Sequence, residues 1–220
     1  MIKPLIICSF FCLAIGHSLA NPIEFGVKGG INLAENYNHS LPGLGAVQTR
    51  EPGFIGGFYL DVPLLNFLSL QPEINLTMRG SHIQYINQPT LYGTRNISVD
   101  EVFNYLEIPL FLKAGLPFGS GLKGSLMAGF SYSMVLSADL FDNYTYSYPN
   151  GTPTSDHHFY TNGAVLNEKS LVFGIELEYG DFLLDTRWDL GLNPVFQYGF
   201  NVDNNVTSDV ISVLAGYRIF

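Results

Sequence analysis

Eight segments of this chain alternate between apolar and polar residues, and the gaps between them alternate between long and short. The candidate strands cover residues 24–33, 53–63, 67–80, 102–117, 122–138, 169–179, 181–193 and 209–220. The gaps are long at residues 34–52, 81–101, 139–168 and 194–208 and short at 64–66, 118–121 and around Gly180-Asp181. Alternation with a period of two is typical of strands with two unlike faces. The parity of the gaps predicts antiparallel strands joined up and down, with every long connection at one end.

The apolar face of each candidate strand carries no charge. In segment 181–193, for example, Leu184 and Trp188 lie on one face while Asp185 and Arg187 lie on the other. Charged residues make up only 13% of the chain, against about 25% in ordinary soluble proteins. Too few charges remain to coat a water-facing surface, and a Lys or Arg at a bilayer midplane costs roughly 2–4 kcal/mol. Since lipid accepts only helices and closed sheets, the pattern predicts an all-β, eight-stranded antiparallel up-and-down transmembrane β-barrel.

The opposite face collects the charged residues of the strands, including Glu24 and Asp61. An eight-stranded barrel is only wide enough for its own side chains to fill it. Acids and bases are therefore expected to pair across a narrow interior, with glycines such as Gly26 and Gly30 relieving the crowding. We predict a structural interior cluster of Lys28, Glu73, Arg79, Glu107, Lys113, Glu176, Glu178, Asp185, Arg187, Asp189 and Arg218. Such a barrel is not expected to conduct solutes freely.

Residues 1–20 have the features of an export signal. Lys3 precedes an apolar run, and Ser18-Leu19-Ala20 supplies the small residues of a signal-peptidase site. Cleavage after this site leaves residues 21–220 as one barrel domain. Both cysteines of the chain lie in the predicted signal, so neither disulfides nor cysteine-ligated metals are expected in that domain. Export combined with a transmembrane barrel predicts the cell outer membrane as the location.

Three segments carry a family resemblance. They are Gly26-Val27-Lys28-Gly29-Gly30-Ile31-Asn32-Leu33, Leu70-Gln71-Pro72-Glu73-Ile74-Asn75-Leu76 and, most specifically, Tyr105-Leu106-Glu107-Ile108-Pro109-Leu110-Phe111-Leu112-Lys113. In these segments the chain resembles the outer-membrane β-barrel proteins of Bacteroidetes called porin-family or PorT-family proteins. The resemblance covers residues 21–220 and implies an eight-stranded barrel in an outer membrane. It implies no single activity, because the family is functionally mixed.

The last residue, Phe220, departs from the usual end of that family, in which an aromatic residue two positions earlier shares the face of the terminal Phe. Here Tyr217 alternates with Ile219, which leaves Phe220 one step out of register. Either Phe220 lies beyond the last ladder pair or the strand contains a bulge. The residue still resembles the recognition signal for the barrel-insertion machinery, which is an expected partner.

The sequence favours a structural or surface-interaction role without enzymatic activity, and it predicts no catalytic residue, cofactor or metal site. Outer-membrane lipids and lipopolysaccharide are the expected surroundings. The long loops offer a surface for an extracellular partner, and a monomer is predicted. The net charge of -9 argues against a nucleic-acid partner, which would require a basic patch.

Several alternatives stay open. The family label suggests a narrow porin-like channel or transporter. A lipid-modifying enzyme would use the loop residues Ser155-Asp156-His157-His158, although two adjacent histidines cannot both face one metal ion without a third fixed ligand. A soluble lipocalin-like binder would turn the apolar face inward around a ligand. Tyr144, Tyr146 and Tyr148 indicate either an aromatic edge for strand addition or, as we favour, a hairpin in which the fifth and sixth strands extend above the membrane.

Overall fold

The computed structural model describes residues 22–38, 46–90, 93–147, 154–161, 164–165, 167–197 and 206–220, and the predicted export signal lies outside them. The strands are β1 (Glu24–Asn38), β2 (Ala46–Leu65), β3 (Leu68–Thr90), β4 (Gly93–Pro117), β5 (Leu122–Ser147), β6 (Thr154–Thr161), β7 (Ala164–Val165), β8 (Glu168–Tyr179), β9 (Phe182–Gly191), β10 (Phe196–Gln197) and β11 (Val206–Arg218). Over these residues the fold is all-β. No helix in this part of the chain has the length and hydrophobicity needed to cross a bilayer.

Eight of the strands form a closed antiparallel barrel. Their order is β1-β2-β3-β4-β5-β8-β9-β11, and β11 pairs with β1 from Gly26↔Arg218 to Asn38↔Val206. Short turns join β2 to β3, β4 to β5 and β8 to β9, and Gly180 in the last of these has a positive φ of 60°, which glycine adopts without steric cost. The predicted eight-stranded antiparallel barrel is confirmed. We call the end with these short turns the lower end and the opposite end the upper end.

A belt of exposed apolar side chains surrounds the barrel, and charged side chains fill its interior. The belt includes Ile31, Phe58, Ile74, Leu110, Leu126, Phe173, Leu184 and Val213, each at least 42% exposed. Near the lower end, the rings of Phe182 and Tyr217 meet edge to face with centroids 5.3 Å apart, as in the aromatic girdles of membrane barrels. The soluble lipocalin-like alternative required the reverse arrangement, with the apolar face inside, and is wrong.

Five strands, β1 to β5, are clearly longer than the sequence pattern predicted, and the difference is largest for β2 to β5. β2, β3, β4 and β5 contain 20, 23, 25 and 26 residues, whereas a tilted membrane-spanning strand needs about 9–11. Much of the predicted loops at residues 34–52, 81–101 and 139–168 is therefore strand. Above the membrane the outward-facing residues no longer need to be apolar, so the hydropathy alternation fades while the backbone ladder continues.

The extended strands form an outer sheet at the upper end, which we define as the parts of β2 to β5 above the belt together with β6. A bulge at Leu136 lies at its base, since Asn104 pairs with Ser137 and Tyr105 with Val135. Among the strands that the structure describes, β6 pairs only with the top of β5, from Asp139↔Thr161 to Tyr146↔Thr154. The extended hairpin is thus present, and residues 155–158 lie in β6 and not in a loop.

Candidate functional site

The barrel interior holds the candidate functional residues. Ten of the predicted cluster residues are buried there: Lys28, Glu73, Arg79, Glu107, Lys113, Glu176, Glu178, Asp185, Arg187 and Asp189. Arg218 instead lies half-buried at the lower rim, where its Nη1 is 2.6 Å from Glu24 Oε1. The strand alternation explains the placement, because every second residue of a barrel strand points inward.

A lower network is centred on two cations at mid-barrel height. Lys28 Nζ lies 2.6 Å from Glu176 Oε2 and 2.8 Å from Asp185 Oδ2, and it donates to Glu73 Oε1 at 3.2 Å. Arg187 binds both oxygens of Glu73, at 2.7 and 2.8 Å, and also contacts Asp185. A bidentate guanidinium–carboxylate pair is both strong and geometrically restrictive. These contacts join β1, β3, β8 and β9 across the full width of the interior.

Lys113 extends the lower network toward the lower mouth. Its Nζ lies 2.6 Å from Asp61 Oδ2 and 2.9 Å from Glu178 Oε1, and it also contacts Glu176. Glu176 therefore bridges Lys28 and Lys113. Below these residues is a cavity of about 270 Å³ whose polar lining includes Glu24, Asp61, Lys113 and Lys123.

An upper network surrounds Arg79. Its guanidinium lies 2.8 Å from Glu168, 3.0 Å from Glu107 and 3.6 Å from Asp189. Ser131 donates to Glu107 at 2.9 Å, and the Ser208 hydroxyl contacts Glu168. The single guanidinium thus holds side chains from β4, β8 and β9 together.

An apolar cluster, which we call the cap, lies above this network. Val195, in the segment that follows β9, is fully buried against Phe103 and Tyr105. Asn193 fixes the segment, since its Oδ1 accepts from Lys169 N at 2.7 Å and its Nδ2 donates to Asn167 O at 3.0 Å. The interior therefore has an apolar cap at its upper end and a cavity at its lower end.

Inward-facing glycines make room for these side chains. A Cβ on Gly30 would lie 2.7 Å from Leu214 Cα and overlap the Val213 carbonyl, and a Cβ on Gly57 would overlap the Ile74 carbonyl. No real side chain tolerates such contacts, so these positions require glycine. The glycines on the charged face have the role that their position predicted.

Glu168 and Glu101 are buried interior acids that the sequence analysis assigned to loops. Glu101 receives a hydrogen bond from Ser81 at 3.2 Å. Both acids could have been found from the strand alternation, in which every second residue faces the interior. Glu101 lies six residues before the inward-facing Glu107, and Glu168 lies two before the inward-facing Ser170, so an even number of residues separates each pair. Both acids lie in strand extensions above the belt, where the outward-facing partners stop being apolar.

Phe220 lies in a terminal bulge. The amides of Ile219 and Phe220 both donate to the Phe25 carbonyl, at 2.8 and 3.3 Å, and Phe25 N donates to Phe220 O at 2.8 Å. Two residues opposing one is the definition of a β-bulge, and the regular ladder ends at Gly26↔Arg218. The Phe220 ring packs against Phe25 with centroids 5.4 Å apart. Both possibilities predicted for the terminus are therefore correct. Phe220 lies beyond the last regular ladder pair, and the bulge that contains it is still hydrogen-bonded to β1.

Within the described ranges, no group of three or more His, Cys, Asp or Glu side chains has an arrangement that could hold a metal ion. Ser155, Asp156, His157 and His158 are described only by their backbone pairing in β6. Tyr148, from the predicted aromatic edge, lies outside the described residues.

Residues 16–197 match the family model described as outer membrane protein beta-barrel domain. Among solved structures, the chain is similar to Ail, the attachment invasion locus protein of Yersinia pestis, with 14% identity over 90% of this chain and 100% of that chain and a TM-score of 0.41. It is similar to Neisserial surface protein A, NspA, with 14% identity, coverage of 90% and 99% and a TM-score of 0.43. It is also similar to OprG from Pseudomonas aeruginosa, with 12% identity, coverage of 89% and 95% and a TM-score of 0.35. No curated protein sequence matches the chain.

Proposed function

Because this chain belongs to the outer membrane protein β-barrel domain family, we propose that it is a closed, non-conducting barrel that anchors an outer sheet at the cell surface for contact with a partner. The observation that carries this function is the filled interior. Lys28, Arg187 and Arg79 each contact carboxylates from other strands, and Val195 caps the upper end. A solute would have to break several buried ion pairs to pass, and breaking one costs about 3–5 kcal/mol.

Planar-bilayer conductance tests the closed barrel. Refolded wild-type protein is expected to give no discrete current steps at moderate voltage. Arg187→Ala, which opens space in the lower network, is the variant expected to begin conducting. Arg50→Ala is the matched control, since Arg50 pairs with Asp209 on the outer rim at 2.8 Å and lies outside the interior. Reproducible steps in the wild type whose size Arg187→Ala alters and Arg50→Ala does not would overturn the proposal.

A narrow channel is the second candidate, and the cavity at the lower mouth favours it. The residues that line this cavity of about 270 Å³ include Lys113 and Asp61, which form an ion pair with each other, so rearrangement of that ion pair would extend the cavity into the interior. The wild-type current recording separates the two candidates directly.

The finer family assignment, to the porin-family or PorT-family proteins of Bacteroidetes, is supported by the segment 105–113. We propose with it cleavage after Ala20, a monomer surrounded by outer-membrane lipids and lipopolysaccharide, and insertion by the barrel-insertion machinery through Phe220. The interior charges are proposed to be structural, and no nucleic acid is proposed as a partner.

The absence of enzymatic activity is likewise a proposal. Incubation of the refolded protein with lipopolysaccharide is expected to leave the lipid mass unchanged, for the wild type and for His157→Ala alike. A mass change that the wild type produces and His157→Ala abolishes would instead establish a lipid-modifying enzyme.

A further inference from the structure

β6 is an edge strand. The eight barrel strands close on one another, so within the described part of the sheet β6 is the terminal strand, bonded to β5 alone. In an antiparallel pair, alternate residues direct their N–H and C=O groups away from the partner. About four of the residues of β6 therefore present backbone groups to its outer side.

Three of the usual protections of an edge strand are missing from β6: shortening, a bulge, and Pro or Lys. Natural edges are shortened, bulged, or carry Pro or Lys so that other chains do not pair with them. β6 runs for eight residues, and its pairing with β5 shows no register shift. Its sequence, Thr-Ser-Asp-His-His-Phe-Tyr-Thr, contains neither Pro nor Lys. An unprotected edge of this length suits the addition of a further strand.

The position of β6 places this edge outside the membrane. β6 begins pairing at Asp139, beyond the bulge at Leu136 that marks the base of the outer sheet. The top of the apolar belt is marked by a polar group of side chains, in which Trp188 Nε1 donates to Asp209 at 3.2 Å and Arg50 lies 2.8 Å from the same carboxyl group. A strand added to β6 would accordingly come from the cell exterior.

The surroundings of the edge are acidic. The top of β5 and β6 contain Asp139, Asp142 and Asp156 and no Lys or Arg. These aspartates attract a basic peptide segment and repel an acidic one. Such electrostatic complementarity governs which partner binds and how fast it associates.

We infer that β6 is the docking edge for an extended basic segment of another protein, which joins the outer sheet as its next strand. This inference rests on the proposed role in surface contact and names the chemistry of the partner. Backbone hydrogen bonds supply the affinity, and the aspartates select for Lys and Arg in the added strand.

Fluorescence polarisation with the full barrel in lipid nanodiscs tests the inference. The probe is a fluorescein-labelled octapeptide of alternating Lys and Val. Two matched peptides separate the contributions: one with Glu in place of Lys, and one with Lys retained but the amides of one edge N-methylated. The unmodified Lys peptide is expected to bind at least tenfold more tightly than either. Equal binding of the N-methylated peptide would show attraction by charge alone and overturn strand addition.

Variants locate the binding edge. Asp142→Asn combined with Asp156→Asn is expected to weaken binding of the Lys peptide severalfold while heat-dependent gel mobility stays unchanged. Asp181→Asn is the control, since Asp181 lies 60% exposed in the turn at the lower end, and it is expected to have no effect. A benzophenone on the peptide should cross-link to residues 154–161. Cross-links confined to the belt or the lower turns would overturn the inference.

The outcomes also separate this inference from the proposed function. A barrel that conducts and still binds the Lys peptide at β6 would remove the non-conducting role and keep the docking edge. A silent barrel that does not bind the peptide would keep the closed barrel and remove the docking edge.

Discussion

Gly29 and Gly30 are adjacent residues with opposite steric demands. Gly30 faces the interior, where a Cβ would lie 2.7 Å from Leu214 Cα, whereas the nearest atom to a Cβ on Gly29 is Ile55 O at 3.9 Å. Gly29 faces lipid and is exposed. Gly30 is required because the backbone of β11 approaches it closely, whereas Gly29 has room for a side chain.

Gly30→Ala is therefore expected to destabilise the barrel by about 1–3 kcal/mol, the usual cost of overpacking. Gly29→Ala is the matched control and is expected to stay within about 0.5 kcal/mol of the wild type. Urea unfolding in lipid vesicles measures both, with the single tryptophan, Trp188, as the fluorophore. Equal losses at the two positions would contradict the assigned inward and outward faces.

Lys28 provides a second comparison between single residues. Lys28→Met is expected to cost about 3–5 kcal/mol, because it leaves Glu73, Glu176 and Asp185 buried with less compensating charge. Lys169→Met removes the same charge from an exposed position and is expected to change the free energy of unfolding by less than about 0.5 kcal/mol. If Lys28→Met unfolds at the wild-type urea concentration, the lower network does not stabilise the barrel.

At the scale of a single strand, the end of β11 can be tested through its terminal bulge. Deletion of Phe220 removes the Phe25 N to Phe220 O bond and the ring contact with Phe25. Deletion of Ile219 keeps a terminal Phe, removes the bulge and returns that Phe to the face of Tyr217. We expect machinery-dependent insertion to fall severalfold without Phe220 and to remain near wild type without Ile219. Heat-dependent gel mobility after assembly measures the inserted fraction, and normal insertion without Phe220 would contradict its role as the signal.

The sequence predicted some elements closely and others poorly, for a physical reason. β8 and β9 were predicted at 169–179 and 181–193 and are observed at Glu168–Tyr179 and Phe182–Gly191, because both end near the membrane surface. β5 was predicted to end at residue 138 and continues to Ser147. Its upper part has no apolar face, so the extension was indicated only by the alternate tyrosines that favoured a hairpin.

The features that the sequence could not show depend on contacts between distant segments. Val195 lies in a connection with no strand pattern, and only its packing on Phe103 and Tyr105 identifies it as the cap. The sequence left open whether Phe220 lies past the ladder or in a bulge, and only the hydrogen bonds between Phe25 and the last two residues show that both are true.

The whole molecule combines a closed lower part with a one-sided upper part. β2 to β5 rise well above the belt, whereas β8, β9 and β11 contain only 12, 10 and 13 residues. The buried ion pairs link opposite walls of the lower part, so it provides a fixed base for the outer sheet. This division places the proposed docking edge in the upper part of the molecule and the buried charged networks in the barrel interior.

Closure of the barrel by β1 and β11 holds this molecule together, and introduced cysteines test it. Ile31 and Val213 are direct partners across the seam, and both side chains are exposed on the belt. Directly opposed Cα atoms lie about 4.5–5.5 Å apart, within the usual range for a disulfide. Residues 21–220, the mature chain under the proposed cleavage, contain no cysteine, so Ile31→Cys with Val213→Cys is expected to form one intramolecular disulfide on oxidation. Non-reducing gels of boiled protein should then show faster migration that a reductant reverses.

Thr186 supplies the control for this cross-link. It pairs with Val213 from the other side, so it lies two strands from Ile31, roughly 10 Å away and beyond disulfide reach. Ile31→Cys with Thr186→Cys is expected to remain reduced under the same oxidation. If the control pair cross-links as readily as the seam pair, the β1–β11 register is wrong. If neither pair cross-links, the first and last strands do not meet and the sheet is open, which would expose the charged interior to lipid.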